Sequence, residues 1–165
     1  MKMVDQILID ILAYGHVLSA MGWLGGGILT TFVLGPNLRN LSPGAGLEFN
    51  ARILPKVLRF VEIAVGLSLV FGVLLFYVVM GDLRPDQLNE IYAGVALALI
   101  TAVDAFALTI PSFRKVVKIA NEALQNKQPP SPDMMKYAMR ARTGSLIGTV
   151  LLLGVLVAMI ASGFS

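Results

Sequence analysis

The chain's only histidine, His16, and its only tryptophan, Trp23, stand seven residues apart in the first long apolar run, within Tyr14 to Gly27. On a helix of 3.6 residues per turn that spacing puts both on one face, with Ser19, Ala20, Gly27 and Thr30 near the same line. Gly15, Gly22 and Gly26 form a second stripe beside it. Three chemistries suit His16. A neutral imidazole can be satisfied by a serine, tyrosine or carboxylate across a helix bundle. It can also be an axial ligand of b-type haem, the nearby glycines letting a flat macrocycle approach the backbone while Ser19, Trp23 and Gly27 line the pocket. Another metal or a proton relay is the third. One histidine supplies one side of a haem iron, so the other side takes a dimer's histidine, a methionine or a water, or stays open. Trp23 lies too deep for an interfacial belt and reads as a packing element or a pocket wall.

Further ionisable side chains fall inside or beside apolar runs, where a charge is costly enough to suggest a role. Asp10 belongs with His16 to the first half of the first run, whereas Glu62 and Asp104 lie near one end of the second and third. Arg59 is one helical turn before Glu62, and Arg142 opens the fourth run. The expected inner polar cluster is therefore Arg59, Glu62, Asp104 and Arg142, with Thr101, Ser145 and Thr149 as hydrogen-bonding neighbours. Such a cluster serves either as ion pairing that fixes helix register or as a proton path or acidic-ligand site. Thioethers favour cuprous ion, but Met21 is turned about 140° from His16 on the helical wheel, and the eight methionines read as gap-filling apolar side chains. Glycine-rich phosphate loops, serine-histidine-acid sets and Cys/His zinc spacings do not occur, which excludes the usual soluble-type active sites.

The elements that must position these residues are membrane helices. Of 165 residues 56% are hydrophobic and only 14% charged, with a mean hydropathy of +0.78. Four runs, roughly 7–34, 57–80, 91–111 and 143–162, reach the length of about 20 apolar residues that a bilayer helix needs. Alternating ten-residue patterns are lacking, so the spans are expected to be helices and not barrel strands. The first run is too long for a signal peptide, and Lys2 is offset by Asp5 and Asp10, so it is expected to stay attached. With no cysteine the chain has no disulfide, thiolate metal site or c-type haem motif. The net charge of +3 could suggest nucleic acid, but topology explains it better. Arg39, Arg52, Lys56 and Arg59 in the first connection and Arg114, Lys115, Lys118, Lys127, Lys136, Arg140 and Arg142 around the third make up eleven of the thirteen basic residues. The positive-inside rule then puts both connections in the cytoplasm and both termini outside.

Along the chain, Gly35-Pro36 is expected to stop the first helix near Leu34. Ser42-Pro43 reads as a cap with proline in the first turn, starting the second helix well before its apolar run, and Pro55 should bend it. Residues 81–87 make a tight turn that joins helices two and three as an antiparallel hairpin. The third helix is expected to continue past Pro111 as an amphipathic extension, since Phe113, Val116, Val117, Ala120 and Leu124 recur at helical spacing. Residues 128–132 break it, and Ser131-Pro132-Asp133 starts the fourth helix. Gly144 and Gly148 favour close helix packing, within the bundle or in a dimer.

His16 followed by Ser19-Ala-Met-Gly-Trp23-Leu-Gly-Gly resembles the first-helix signature of the CopD-like copper-resistance membrane domains and their four-span relatives, including the HemJ type of protoporphyrinogen oxidase. The likeness extends more weakly to Leu34-Gly-Pro-Asn-Leu-Arg39 and to Asp104-Ala-Phe-Ala-Leu-Thr-Ile-Pro111. It implies a four-helix membrane bundle in which His16 binds b-type haem or a metal. The HemJ type carries a lysine in a later span; here Asp104 takes the comparable polar position. The expectation is an all-α integral membrane four-helix bundle of the plasma membrane, one domain, with helices three and four extended into the cytoplasm. It is expected to be a haem b-binding or redox-associated protein with His16 as ligand, in a homo-oligomer or larger membrane complex and without nucleic acid. The other expectations are a non-catalytic subunit or assembly factor, and an ion or metal transport-related protein using Glu62 and Asp104.

Overall fold

Among the described residues every regular element is a helix. The computed structural model describes the backbone of residues 3–164, and the side chains in that range apart from those of residues 3–5, 39, 82, 86 and 162–164. Lys2 and the side chains of Asp5, Arg39 and Asp82, which enter the charge and turn readings above, lie outside the described residues. The helices are α1 (Met3–Ile28), α2 (Gly35–Asn37), α3 (Pro43–Arg52), α4 (Leu54–Val79), α5 (Pro85–Asp104), α6 (Ile110–Asn126) and α7 (Asp133–Phe164). Two π-helical segments, Leu29–Leu34 and Ala105–Thr109, join α1 to α2 and α5 to α6. Four helical stretches are long and apolar enough to cross a membrane: Gln6–Asn37, Pro43–Val79, Gln87–Asn126 and Asp133–Ala161. Their outer faces carry large apolar side chains, among them Leu18, Val73, Tyr77 and Val157, a surface suited to lipid more than to water.

Prolines set the breaks. A proline inside a helix has no N–H to give, and its ring strikes the carbonyl four residues back. Ahead of Pro36 and Pro111 the chain meets this by widening: Gly35 N–H reaches back five residues to Thr30 O, and Ile110 N–H reaches Ala105 O. The first helix therefore does not stop at Gly35-Pro36 as expected. It continues through α2 and a 3-10 turn over Leu38–Asn40, and only Leu41 is extended. Ser42 caps α3, its hydroxyl accepting from Ala45 N–H, and the break before Pro55 falls at Ile53, between α3 and α4. Met80–Asp82 and the extended Leu83 form the second connection. At the third, Lys127 adopts a left-handed conformation (φ 52°). Gln128 N–H to Ala123 O and Lys127 N–H to Leu124 O complete a Schellman end before Pro129.

Packing pairs α1 with α4 and α5 with α7, while α1 also touches α7. Helices α4 and α5 are joined by a tight turn but are not main packing partners; Phe76 and Tyr92 meet edge-on near it, ring centroids 5.8 Å apart. The α1–α4 seam explains the glycine stripe. A Cβ on Gly15 would strike the Phe71 ring, one on Gly22 would press on Ala64, and one on Gly26 would strike Val61. Trp23, Ala64, Val65, Ala102 and Leu152 form the central core from all four spans. A second core of Leu54, Leu58 and Val116, covered by Phe49, Phe113, Met134 and Tyr137, sits where α3, α4, α6 and α7 meet. The amphipathic face of α6 is thus buried within the chain.

Candidate intramembrane polar site

The second π segment positions the central acidic group. It starts immediately after Asp104, and Thr109, its last residue, donates its hydroxyl to Asp104 Oδ2 at 3.0 Å. Asp104 is half-buried and faces the glycines of α7: a Cβ on Gly148 would lie 3.5 Å from Oδ2, and one on Gly144 would overlap the Thr109 hydroxyl. The Gly144/Gly148 pair therefore serves close packing inside the bundle. On the other side of α7, Ser145 Oγ lies 2.7 Å from Thr31 Oγ1 and 3.2 Å from Thr30 Oγ1, both in the first π segment. The two widened turns flank the start of the fourth span, and each presents threonines to it.

Between them lies a partly open cavity of about 50 Å³, lined by Trp23, Gly27 and Thr30 from the first span, Thr101, Asp104 and Thr109 from the third, and Gly144, Ser145, Gly148 and Thr149 from the fourth. Leu58, Val61, Ile110 and Phe113 also line it. No basic residue is in this lining. Hydroxyl protons are already committed: Thr101 donates to Leu97 O and Thr149 to Ser145 O, each at 2.7 Å, and Thr109 donates to Asp104. Their oxygens are left as acceptors. Roughly 10–15 Å³ admits one water, so the room suits an ion-sized guest and not a macrocycle.

His16 sits elsewhere. Its Nδ1 lies 2.9 Å from the main-chain carbonyl of Ser68 in α4. A carbonyl can only accept, so Nδ1 is the nitrogen that carries the proton in this contact, and Nε2 is the nitrogen left for another partner. Gly72, one turn on from Ser68, makes the approach possible: a Cβ there would lie 2.8 Å from Cε1 and 2.9 Å from Nδ1. Ser19 turns back on its own helix, with Oγ 2.6 Å from Gly15 O and 3.0 Å from His16 O.

The structure distributes the members of the two expected groupings as follows. Trp23 and Gly27 line the Asp104 cavity, whereas His16 and Ser19 line neither it nor the groove between α1 and α4. The shared helical face is sound, but seven residues are about 10 Å of axial rise, so His16 and Trp23 occupy different layers. The inner cluster also divides. Glu62 pairs with Arg114 of α6 at 2.7 Å, a partner that spacing within one helix does not reveal. Asp104 is held by Thr109, while Arg59 and Arg142 are exposed and in no ion pair among the described residues. Thr101 and Thr149 do line the cavity with Asp104. Thr109 and Thr30 were missed as its neighbours; the signal was a proline following each within an apolar run. Among the described residues no group of three or more His, Cys, Asp or Glu side chains could hold a metal ion. No protein-family model matches the chain, and neither a curated protein nor a solved structure is significantly similar to it.

Proposed function

We propose that this is a multi-pass membrane protein of an ion-transport-related kind, which takes up and releases a proton or a small monovalent cation at Asp104. The carrying observation is a carboxylate on a small cavity whose lining has no basic residue and in which the Thr101, Thr109 and Thr149 hydroxyls all donate to other groups of the chain. An unpaired carboxylate at membrane depth is neutralised by a proton or by a bound cation. A single carboxylate balances one positive charge, so a monovalent ion leaves the site neutral where a divalent one would not. Acceptor oxygens from Thr101 and Thr149 suit a hard cation or a hydrated proton. In this reading both termini face outward and the basic ends of helices three and four face the cytoplasm, following the distribution of lysine and arginine.

The test is flux of protons and of sodium ions into proteoliposomes holding the purified chain, driven by an imposed potential. Wild-type protein should carry one of them, Asp104→Asn should abolish that flux, and Glu62→Gln should leave it unchanged. Wild-type flux no greater than in protein-free vesicles, or undiminished flux in Asp104→Asn, would overturn the reading.

One observation favours a second reading, haem ligation by His16. Ligating histidines donate their other ring N–H to a carbonyl or carboxylate, and the His16–Ser68 contact has that form. Nε2 would then be the nitrogen that holds the iron of a b-type haem, which would supply one-electron redox chemistry. Protein purified with haem supplied should show a Soret band that His16→Ala removes; no band, or one that survives the substitution, would end this reading.

A further inference from the structure

A groove of about 470 Å³ runs along the α1–α4 seam, floored by Gly22, Gly25 and Gly26 and walled by Val57 and Phe60, with Lys56 among its lining. That volume lies within the roughly 300–1,000 Å³ of ordinary ligand clefts. We infer that the groove holds an anionic phospholipid, with one acyl chain along the glycines and the phosphate on the Lys56 ammonium. This site is separate from Asp104 and does not depend on the reading given to it.

Three features carry the inference. Gly22 and Gly26 are explained by contact with Ala64 and Val61, but a Cβ on Gly25 would meet nothing within 4 Å. No described glycine has positive φ, so Gly25 is not required by backbone conformation either. A helix interior disfavours glycine, and its effect here is to keep the floor of the groove open. Second, Lys56 of α4 is exposed and makes no ion pair among the described residues, while the carboxylates nearest it in sequence are engaged: Glu48 of α3 with Arg52, and Glu62 of α4 with Arg114. The charge at the groove has no counterpart within this part of the chain. Third, a two-fold dimer across the groove would bring Lys56 into the same interface as its own copy, which like-charge repulsion opposes. An anionic phospholipid meets both needs with one molecule, and basic pockets between membrane helices are a known form of headgroup site.

The experiment is native mass spectrometry of the full chain released from detergent, with phosphatidylglycerol or phosphatidylcholine of the same acyl chains added. Wild-type protein should retain one phosphatidylglycerol in preference to phosphatidylcholine. Lys56→Gln should lower that preference about fivefold, the effect of one basic residue at the membrane surface, and Lys127→Gln should not change it. Gly25→Leu, whose Cβ would meet nothing within 4 Å and whose side chain would occupy the groove, should reduce retention of both lipids. If Gly25→Leu does not fold, Lys56→Gln still carries the test, because its side chain is exposed. Equal retention of the two lipids, or an unchanged preference in Lys56→Gln, would overturn the inference. So would a lipid-free dimer that Gly25→Leu dissociates.

Discussion

Thr109 donates to the Asp104 carboxylate at 3.0 Å from five residues further along the same helix. In a regular α-helix two such residues point about 140° apart, and the π segment between them brings the two side chains together. The pair is thus a product of the widened turn that Pro111 imposes. Thr109→Val keeps the shape but removes the donor, and should destabilise the protein by about 1 kcal/mol. Thr109→Ser should stay close to wild type. Unfolding in mixed micelles with a graded detergent denaturant measures both; equal effects from Val and Ser would mean that the hydroxyl contributes nothing.

Gly144 is required by that same hydroxyl. A methyl at position 144 would overlap Thr109 Oγ1, whereas one at 148 would sit at an ordinary 3.5 Å from Asp104 Oδ2. Gly144→Ala should therefore cost about 1–3 kcal/mol, the usual range for overpacking, and Gly148→Ala much less. In a Thr109→Ala background most of the Gly144→Ala penalty should disappear. An additive double mutant would show that Gly144 answers to some other neighbour.

The spans, the Ser42 cap and the α6 extension are legible in the sequence because each rests on hydrophobic periodicity or on capping chemistry local to a few residues. The glycine stripe of α1 was also legible as a packing face, although its partner, α4, was not named by it. What the 3.6-residue wheel hides is anything that depends on leaving it. The Asp104–Thr109 pair needs a π turn, and the continuation past Gly35-Pro36 needs another. The wheel also carries no depth, which is why His16 reads as one pocket with Trp23 and Gly27 although it lies in a different layer from the cavity those two line. Glu62 and Arg114, 52 residues apart, meet only because α6 packs on α4.

That ion pair separates the observed arrangement from the one expected within a single helix. Glu62 is 24% exposed and Arg114 66%, so solvent screens the contact and its contribution should be about 0.2–1 kcal/mol, falling with added salt. A double-mutant cycle of Glu62→Gln with Arg114→Gln should give a coupling energy in that range. The same cycle with Arg59→Gln should give a value near zero. A larger coupling to Arg59 would restore the grouping based on spacing alone.

Gly72 and His16 form the most restrictive contact along the α1–α4 seam outside the glycine stripe. The imidazole lies where a Cβ of residue 72 would be, and from there Nδ1 reaches the Ser68 carbonyl. Gly72→Ala should push the ring off that carbonyl and destabilise the protein by about 1–3 kcal/mol. His16→Ala removes a hydrogen bond that in membrane proteins averages about 0.6 kcal/mol, together with the packing of the ring. In the His16→Ala background, however, Gly72→Ala should become neutral or slightly stabilising, because the clash is gone and alanine is the better helix former. The double variant should therefore be destabilised by less than the sum of the two single substitutions. If Gly72→Ala costs the same with and without His16, the ring does not occupy this seam, and the basis for treating Nε2 as the available nitrogen goes with it.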